Sequence, residues 1–229
     1  MVDFQSREKV GEITFGDDED ASADADDGGD DHEEEKHAHD HHAHDVDAVG
    51  FGVVTVSSSQ EAGDDPSGDL IVERLRDAGH EVVTRDLVID DFDRVQGTVD
   101  RLTRREEIDA VVTTGGTGVT PDDVTVEAVR PLLDKRLPGF GELFRRLSYD
   151  EVGTRVVGTR ADAGVASGAP VFCLPGSENA ARLGVEEIIL SEVGHLVGLA
   201  TRPPASGEAR PENDANGDSD ERDATDDAE

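Results

Sequence analysis

The stretch Ile108-Asp-Ala-Val-Val-Thr-Thr114 runs directly into Gly115-Gly116-Thr117-Gly118 and then into Val-Thr-Pro-Asp-Asp (119–123), and it decides the fold. The apolar, β-branched run predicts a buried strand, and the glycines let the backbone turn sharply and approach a ligand. Thr120 as N-cap and Asp123 closing a capping box predict the start of a helix. Strand, glycine turn and helix N-terminus in this order favour phosphate, because main-chain N–H groups and the helix dipole attract anions.

This glycine turn differs from two familiar phosphate motifs. No Lys-Ser or Lys-Thr pair follows the glycines, so the stretch is not a Walker A loop, and its spacing is not Gly-x-Gly-x-x-Gly. A glycine turn between a strand and a helix is also common as a purely structural connection. The turn alone therefore leaves both a structural and a phosphate-binding role open.

The charge is strongly negative and unevenly spread. The 229 residues carry a net charge of −34, and the chain has 18 arginines against 3 lysines. Residues 1–47 hold 18 acidic and 3 basic side chains, and residues 201–229 hold 10 and 3. Because both ends are poor in large apolar residues, we expect two disordered acidic tails that flank one domain at 48–200.

This acidity indicates adaptation to a salt-rich cytoplasm, where screening removes the repulsion between carboxylates. The alternative is one acidic protein in an ordinary cell. Nucleic-acid binding is disfavoured because the chain offers no basic patch. No signal peptide and no apolar run that could span a bilayer are visible, and the single cysteine, Cys173, excludes an intrachain disulfide. We therefore expect a cytoplasmic protein without a membrane partner.

Six histidines lie in the acidic N-terminal tract: His32, His37, His39, His41, His42 and His44. Imidazoles mixed with carboxylates can bind Zn²⁺, Ni²⁺ or Cu²⁺ loosely. The competing interpretation is a solvated, low-complexity linker, which the composition favours.

The central region alternates strands and helices. Apolar runs predict strands at 48–56, 82–89, 108–114, 154–159 and 171–174, and helical spacing predicts helices from Ser67-Gly68, after Asp90-Asp91 and from about Glu142. This order predicts an α/β fold, a three-layer αβα sandwich with a mostly parallel sheet. Ligands of such sheets bind at the carboxyl ends of the strands, which places Ser57, Asp90 and the turn at 115–118 along one edge.

A second glycine turn, Pro175-Gly176-Ser177, follows the strand at 171–174 and leads into another helix. It repeats the pattern of strand, glycine turn and hydroxyl-capped helix, so it is a second candidate anion site. Two such turns that face one crevice suit a ligand with more than one phosphate. Cys173 in the strand and His195 in the helix are interpreted as structural residues.

Together these segments resemble the MoaB/Mog family of molybdenum cofactor biosynthesis proteins, and its MoaB branch in particular. The resemblance spans about residues 48–199. The matching residues are Thr55-Val56-Ser57, Ser67-Gly68, Thr114-Gly115-Gly116-Thr117-Gly118 with Asp123, Pro138-Gly139-Phe140-Gly141-Glu142, Ser148, Arg160 to Gly164, and Leu174-Pro175-Gly176-Ser177.

The resemblance implies a molybdopterin adenylyltransferase, which transfers AMP from ATP to the terminal phosphate of molybdopterin and releases pyrophosphate. Such transfer depends on alignment and charge neutralisation more than on covalent help. The implied roles are nucleotide phosphate binding for the amides at 115–118, Mg²⁺ binding for Asp123, and a second functional acid at Asp90. Glu142 matches a position that contacts the pterin, and Ser177 one that suits the molybdopterin phosphate. Ser57, Thr114, Ser148, Arg160, Pro175 and Gly176 join the binding site as members of the matching motifs.

Each of these roles has a structural alternative. Asp123 can merely close its capping box, and Asp90 can merely cap a helix. Glu142 can be a solvated surface charge, and Arg160 an ordinary surface ion pair.

The chain departs from the family pattern at two positions. Ser58 stands where the family often has aspartate, and Asp122 where the adenylyltransferase branch often has a basic residue. An acid beside a triphosphate weakens nucleotide binding unless Mg²⁺ or salt compensates. A non-catalytic molybdopterin carrier is therefore the alternative function, followed by a metal-buffering protein built on the histidine tract. The resemblance also implies a homotrimer or hexamer and contacts with other cofactor biosynthesis proteins, for either a molybdenum or a tungsten pathway.

Overall fold

The computed structural model describes residues 45–58 and 65–203. The predictions for the histidine tract and for most of both tails lie outside the described residues. Among the described residues, no helix is both long enough and apolar enough to cross a bilayer.

Six strands form one sheet in the order β2-β1-β3-β6-β5-β4. Their bounds are β1 Gly50–Ser57, β2 Glu81–Ile89, β3 Ala110–Thr114, β4 Lys135–Arg136, β5 Asp162–Ala166 and β6 Ala169–Leu174. The pairs β1–β2, β1–β3 and β3–β6 are parallel, whereas β5 pairs antiparallel with both β6 and β4. The mostly parallel sheet is confirmed, and the antiparallel edge formed by β4 and β5 is an addition to the prediction.

Helices cover both faces of the sheet. Their bounds are α1 Pro66–Asp77, α2 Phe92–Thr103, α3 Thr125–Val129, α4 Pro138–Val152, α5 Glu178–Gly184 and α6 Leu190–Ala200, with a π-helical stretch at Val185–Ile189 between the last two. One apolar cluster joins α1, α4, α5 and α6 to one face of β1, β3 and β6. A second cluster packs α2 and α3 on the opposite face. The alternation of side chains along buried strands therefore divides the core between two helical layers, and the three-layer α/β architecture is confirmed.

The prediction of a strand at 154–159 is wrong, because Gly153–Gly158 is a 3₁₀ helix. Gly153 ends α4 with φ of +60°, and the Val157 side chain that follows is 85% exposed. The adjacent Val156 and Val157, between Arg155 and Gly158, also lack the alternation that buries one face of a strand. The strand that does pair with β5 on its outer side is β4.

The helix predicted from about Glu142 begins earlier, at Pro138. Proline suits this first helical position because its missing N–H has no partner there in any case. Gly141 lies inside this helix. A Cβ at this position would lie 2.5 Å from the carbonyl oxygen of Ala161. The glycine therefore serves close packing of α4 on the chain that enters β5.

Two residues just before the predicted start of the domain contact α6. The amide of Val46 donates to the carbonyl of Gly194 at 3.2 Å, and Asp45 lies 2.9 Å from Nδ1 of His195. His195 thus fastens the start of the domain to α6, which agrees with its interpretation as a structural residue.

Cys173 is expected to be inert in the folded protein. Its side chain is 1% exposed in the middle of the sheet, and burial raises the pKa of the thiol to about 12. Since the thiolate is the reactive form, alkylation by iodoacetamide at pH 8 should be roughly a thousandfold slower in the native than in the unfolded chain. Mass spectrometry with and without urea checks this, and rapid native labelling would contradict the packing described here.

Candidate functional site

Three strand-to-helix connections meet at the carboxyl edge of the sheet. At one side, the amide of Asp90 donates to the carbonyl of Ser57 at 3.0 Å. At the other, the buried hydroxyl of Ser67 at the start of α1 donates to the carbonyl of Gly176 at 2.7 Å. The first bond joins the ends of β1 and β2, and the second joins the start of α1 to the turn after β6, so the connections lie along a common edge as predicted.

The two glycine turns lie against each other in the middle of this edge. A Cβ on Gly176 would lie 3.1 Å from the Cα of Gly115. The buried hydroxyl of Thr114 donates to the carbonyl of Pro175 at 3.1 Å, and the amide of Gly115 donates to the carbonyl of Leu174 at 3.0 Å. The two glycine turns therefore lie side by side and are joined through main-chain atoms. That they face one crevice stays a prediction.

The turn at 115–118 needs its glycines. Gly115 and Gly116 have φ values of +99° and +63°, a region that residues with a Cβ avoid. Among the described residues, no acceptor bonds the amides of Gly116 and Thr117, whereas the Gly115 amide extends the β3–β6 pairing and Gly118 bonds the carboxylate of Asp123. Gly116 is partly exposed, so its amide can meet a phosphate, whereas Thr117 is only 2% exposed.

Thr125 holds this turn through two hydrogen bonds, and its role was missed by the sequence analysis. It is fully buried, its hydroxyl donates to the carbonyl of Gly115 at 2.8 Å, and its amide donates to the carbonyl of Gly116 at 2.9 Å. A Cβ on Gly116 would lie 2.3 Å from the Thr125 hydroxyl. The sequence offered one signal. Thr125 follows Asp123 by two residues, in a stretch where the helix was expected to have begun already.

The predicted helix start at Thr120 is wrong, because α3 begins only at Thr125. Residues 120–123 form a separate turn, in which the Asp123 amide donates to the carbonyl of Thr120 at 3.1 Å. The amide of Thr120 donates in turn to Oδ2 of Asp123 at 2.8 Å, and its hydroxyl does so at 2.5 Å. The capping-box bond thus forms without the helix, in a turn that the bonds between Thr120 and Asp123 close in both directions.

Asp123 is held as an anion. The hydroxyl of Thr120 is the largest cause that lowers the pKa of this carboxyl group, and the main chain at Thr120 and Gly118 and the charge of Arg160 act in the same direction. Both bonds from Thr120 end on Oδ2. Oδ1 accepts neither of the two bonds from Thr120.

Asp90 does not cap α2, because its neighbour Asp91 is the N-cap and accepts from the amide of Arg94. Instead, Oδ1 of Asp90 accepts from the amide of Val124 at 3.2 Å, and a Cβ on Gly116 would lie 2.8 Å from both carboxylate oxygens. Burial raises the pKa of Asp90, and repulsion from Asp123 and Asp122 raises it further. The carboxylate therefore lies beside the glycine turn in a locally negative field.

Asp90→Asn is expected to make the folded protein slightly more stable at neutral pH. The raised pKa means that ionisation of Asp90 opposes folding, while asparagine still accepts from Val124. The gain should be below about 1 kcal/mol because solvent screens a partly exposed charge. It should shrink as the pH falls through the folded pKa and vanish below the ordinary value of 3.8.

Urea unfolding at pH 7 and pH 3, in EDTA to remove bound cations, measures this difference. Asp91→Asn is the matched control, since asparagine caps a helix as well as aspartate. A loss of stability at neutral pH in the Asp90 variant alone would contradict the electrostatic account.

Arg160 contacts the same loop from the side of β5. Its Nε donates to the carbonyl of Gly118 at 2.6 Å, one terminal nitrogen donates to the carbonyl of Asp123 at 3.0 Å, and the other pairs with Glu127 of α3. The side chain is therefore more than a surface ion pair, because two of its contacts are to main chain of the candidate site.

The remaining predicted residues occupy different places. Ser177 caps α5, accepting from the amide of Ala180 at 3.3 Å, at the end of the second glycine turn. Glu142 is exposed on α4, and Ser148 is buried on the α4 face that carries Phe140 and Phe144. In the described part of the chain, no hydrogen bond or ion pair joins Glu142 or Ser148 to either glycine turn. Their assignment to the site stays a prediction.

No group of three or more metal-ligating side chains is present among residues 45–58 and 65–203. The predicted Mg²⁺ site does not require one, since Mg²⁺ takes one or two carboxylates together with substrate phosphates and water. Asp123 and Asp90 are oxygen donors of that kind.

Comparison with known proteins agrees with the family resemblance of the sequence motifs. A family described as "Probable molybdopterin binding domain" matches residues 52–195. The molybdenum cofactor biosynthesis protein B of Bacillus cereus is 43% identical over 145 residues, which cover 63% of this chain and 86% of that protein. Its namesake from Bacillus subtilis is 42% identical over 146 residues, with the same shares covered.

Solved structures agree with the fold. A crystal structure of a molybdenum cofactor biosynthesis protein B superposes with a TM-score of 0.65 at 42% identity, covering 67% of this chain and 96% of the other. The tungsten cofactor synthesizing protein MoaB from Pyrococcus furiosus superposes with a TM-score of 0.62 at 44% identity, covering 68% and 98%.

Proposed function

Because the chain belongs to the MoaB/Mog family of molybdenum cofactor biosynthesis proteins, we propose that it is a Mg²⁺- and ATP-dependent molybdopterin adenylyltransferase. In this reaction an oxygen of the terminal phosphate of molybdopterin attacks the α-phosphorus of ATP. The bond between the α-phosphorus and the bridging oxygen to the β-phosphate breaks, and pyrophosphate leaves with that oxygen. The product carries AMP on the pterin phosphate, in the pathway of the molybdenum or the tungsten cofactor.

The contact between the two glycine turns is the observation that carries this proposal. The reaction joins two phosphate groups, so the protein must bring two phosphate-binding surfaces together. The Cα of Gly115 and a Cβ on Gly176 would be 3.1 Å apart, which leaves the turns side by side on one edge. The amide of Gly116 is assigned to the nucleotide phosphates, and the Ser177 end of α5 to the pterin phosphate.

Asp123 suits the binding of Mg²⁺ because it is kept ionised and keeps Oδ1 clear of the bonds from Thr120. Bound Mg²⁺ supplies positive charge that neutralises the phosphates in the transition state. Asp90, beside Gly116, is assigned as the second acid facing that cation. The guanidinium of Arg160 adds fixed positive charge behind the turn.

A direct assay tests the proposal. The protein, molybdopterin and MgATP are incubated in multimolar KCl, and adenylylated pterin and pyrophosphate are measured. We expect both products in equal amounts with ATP and neither with the analogue that has a methylene group between the α- and β-phosphates. An absence of product from a protein with native circular dichroism would reject the enzymatic function.

A non-catalytic molybdopterin carrier is the second candidate, and the acidic field of the nucleotide side favours it. Asp122 and Asp123 both raise the pKa of Asp90, so three carboxylates act near the turn to which we assign the triphosphate, and their charge opposes its binding. The carrier predicts tight pterin binding without measurable MgATP binding in a calorimetric titration. The adenylyltransferase predicts binding of both.

We also propose that the protein assembles into a homotrimer or hexamer and cooperates with other cofactor biosynthesis proteins. Exposed apolar side chains on α4 and the following 3₁₀ helix support self-association: Leu143, Tyr149, Val152 and Val157. Sedimentation in multimolar salt distinguishes the trimer or hexamer from a monomer.

A further inference from the structure

Arg160 joins the two ends of an exposed segment of the candidate site. Residues 119–122 are all exposed, and Val119 reaches 73%. The residues on either side are Gly118 and Asp123, and their carbonyl oxygens both accept from the same guanidinium, at 2.6 and 3.0 Å. One side chain therefore closes the loop that leads from the glycine turn to the carboxylate of Asp123.

All three nitrogens of the Arg160 guanidinium donate to acceptors of the protein itself. Nε and one terminal nitrogen reach the two carbonyls, and the other terminal nitrogen pairs with Glu127 on α3. Arginine is suited to this task, because its planar group presents donors in fixed directions, whereas lysine offers a single point charge. Its long-range charge still acts on Asp123, whose pKa it helps to lower.

The loop has few other fastenings on its outer side. The inner bonds of the loop are those between Thr120 and Asp123 and that of Gly118 to the Asp123 carboxylate. On the inner side, the Val124 amide also donates to Asp90, and Thr125 bonds the carbonyls of Gly115 and Gly116. Without Arg160, the carbonyls of Gly118 and Asp123 would have only water as partner, and the exposed segment would gain freedom. Freedom in the unbound state must be lost on binding, which weakens affinity.

We infer that Arg160 is a positioning residue: it fastens the loop at 118–123 and thereby sets the affinity of the site for nucleotide phosphates without contacting the reacting atoms. The second half of this statement rests on the proposed function. The first half, the fastening of the loop, is a property of the protein without any ligand.

The test uses the full-length protein and the variants Arg160→Gln and Arg160→Lys. Arg155→Gln is the matched control, because Arg155 is exposed in the 3₁₀ helix that precedes Arg160. Amide hydrogen exchange at Thr120 and Asp123, followed by NMR in multimolar KCl, reports on the loop, since both amides are bonded within it. We expect about tenfold faster exchange in Arg160→Gln, an intermediate rate in Arg160→Lys and no change in the control.

Kinetic measurements distinguish a positioning role of Arg160 from direct contact with the reacting atoms. KM for MgATP should rise about tenfold in Arg160→Gln, while kcat at saturating MgATP stays within about twofold. Unchanged exchange at Thr120 and Asp123, or a loss of kcat at unchanged KM, would overturn the inference. If wild-type protein binds no MgATP, the proposed function fails, and the exchange rates alone then decide whether Arg160 fastens the loop.

Discussion

Gly115→Ala is expected to lower the free energy of unfolding by about 3 kcal/mol. An alanine Cβ at this position would lie 2.1 Å from the carbonyl oxygen of Val56, which is main chain of the central strand β1 and cannot rotate away. The residue also has φ of +99°, which a side chain disfavours. Relief of the contact would have to separate β1 from β3 next to the candidate site.

Gly79→Ala provides the matched control. Gly79 also has a positive φ, of +88°, but a Cβ there would meet no atom within 4 Å. Gly79→Ala should therefore lower the free energy of unfolding only by the cost of a side chain at positive φ, about 1 kcal/mol. Urea denaturation of both variants in concentrated KCl measures the difference. Equal losses would mean that Gly115 is required by its φ alone and that the glycine turn does not press on β1.

Asp123→Asn is expected to weaken MgATP binding by about a hundredfold if its negative charge holds the cation. Asparagine keeps an oxygen that can accept from Thr120, so the turn at 120–123 should survive in this variant. Asp123→Ala removes both the charge and the turn and should lose at least as much. Isothermal titration with MgATP gives the three affinities.

The neighbouring Asp122→Asn should have the opposite effect. Asp122 is exposed and adds negative charge near the phosphates, so its neutralisation should leave MgATP binding unchanged or tighten it. Neutralisation of Asp123 is thus expected to weaken MgATP binding, whereas neutralisation of the adjacent Asp122 is not. Full binding by Asp123→Asn together with weak binding by Asp123→Ala would assign Asp123 to the loop and not to a cation.

The sequence was most informative where a local pattern was sufficient. β1, β3 and β6 come from apolar runs that predict strands, and the structure has a buried strand at each of them. The positions of the two glycine turns followed from the ends of those strands. Their contact with each other depends on the order β1-β3-β6 within the sheet, which the sequence suggests only through the general rule that ligands bind at one edge.

The errors arose where two structures satisfy the same local bonds. Thr120 and Asp123 make a capping-box bond in a turn, so the residue pair alone could not reveal that α3 starts at Thr125. Thr154 to Thr159 has β-branched residues, but the edge position beside β5 is taken by Lys135–Arg136, which shows no strand pattern of its own. The contacts of Arg160 with Gly118 and Asp123 join residues 42 and 37 positions apart, and no local signal encodes them.

The central claim is that the two glycine turns together bind the phosphates of one ligand, and amide NMR during a MgATP titration in multimolar KCl tests it most directly. The account predicts that Gly116, Thr117 and Ser177 shift together along one saturable curve. Addition of molybdopterin should then shift Ser177 further. Shifts confined to one turn, or centred on residues away from this edge of the sheet, would contradict it.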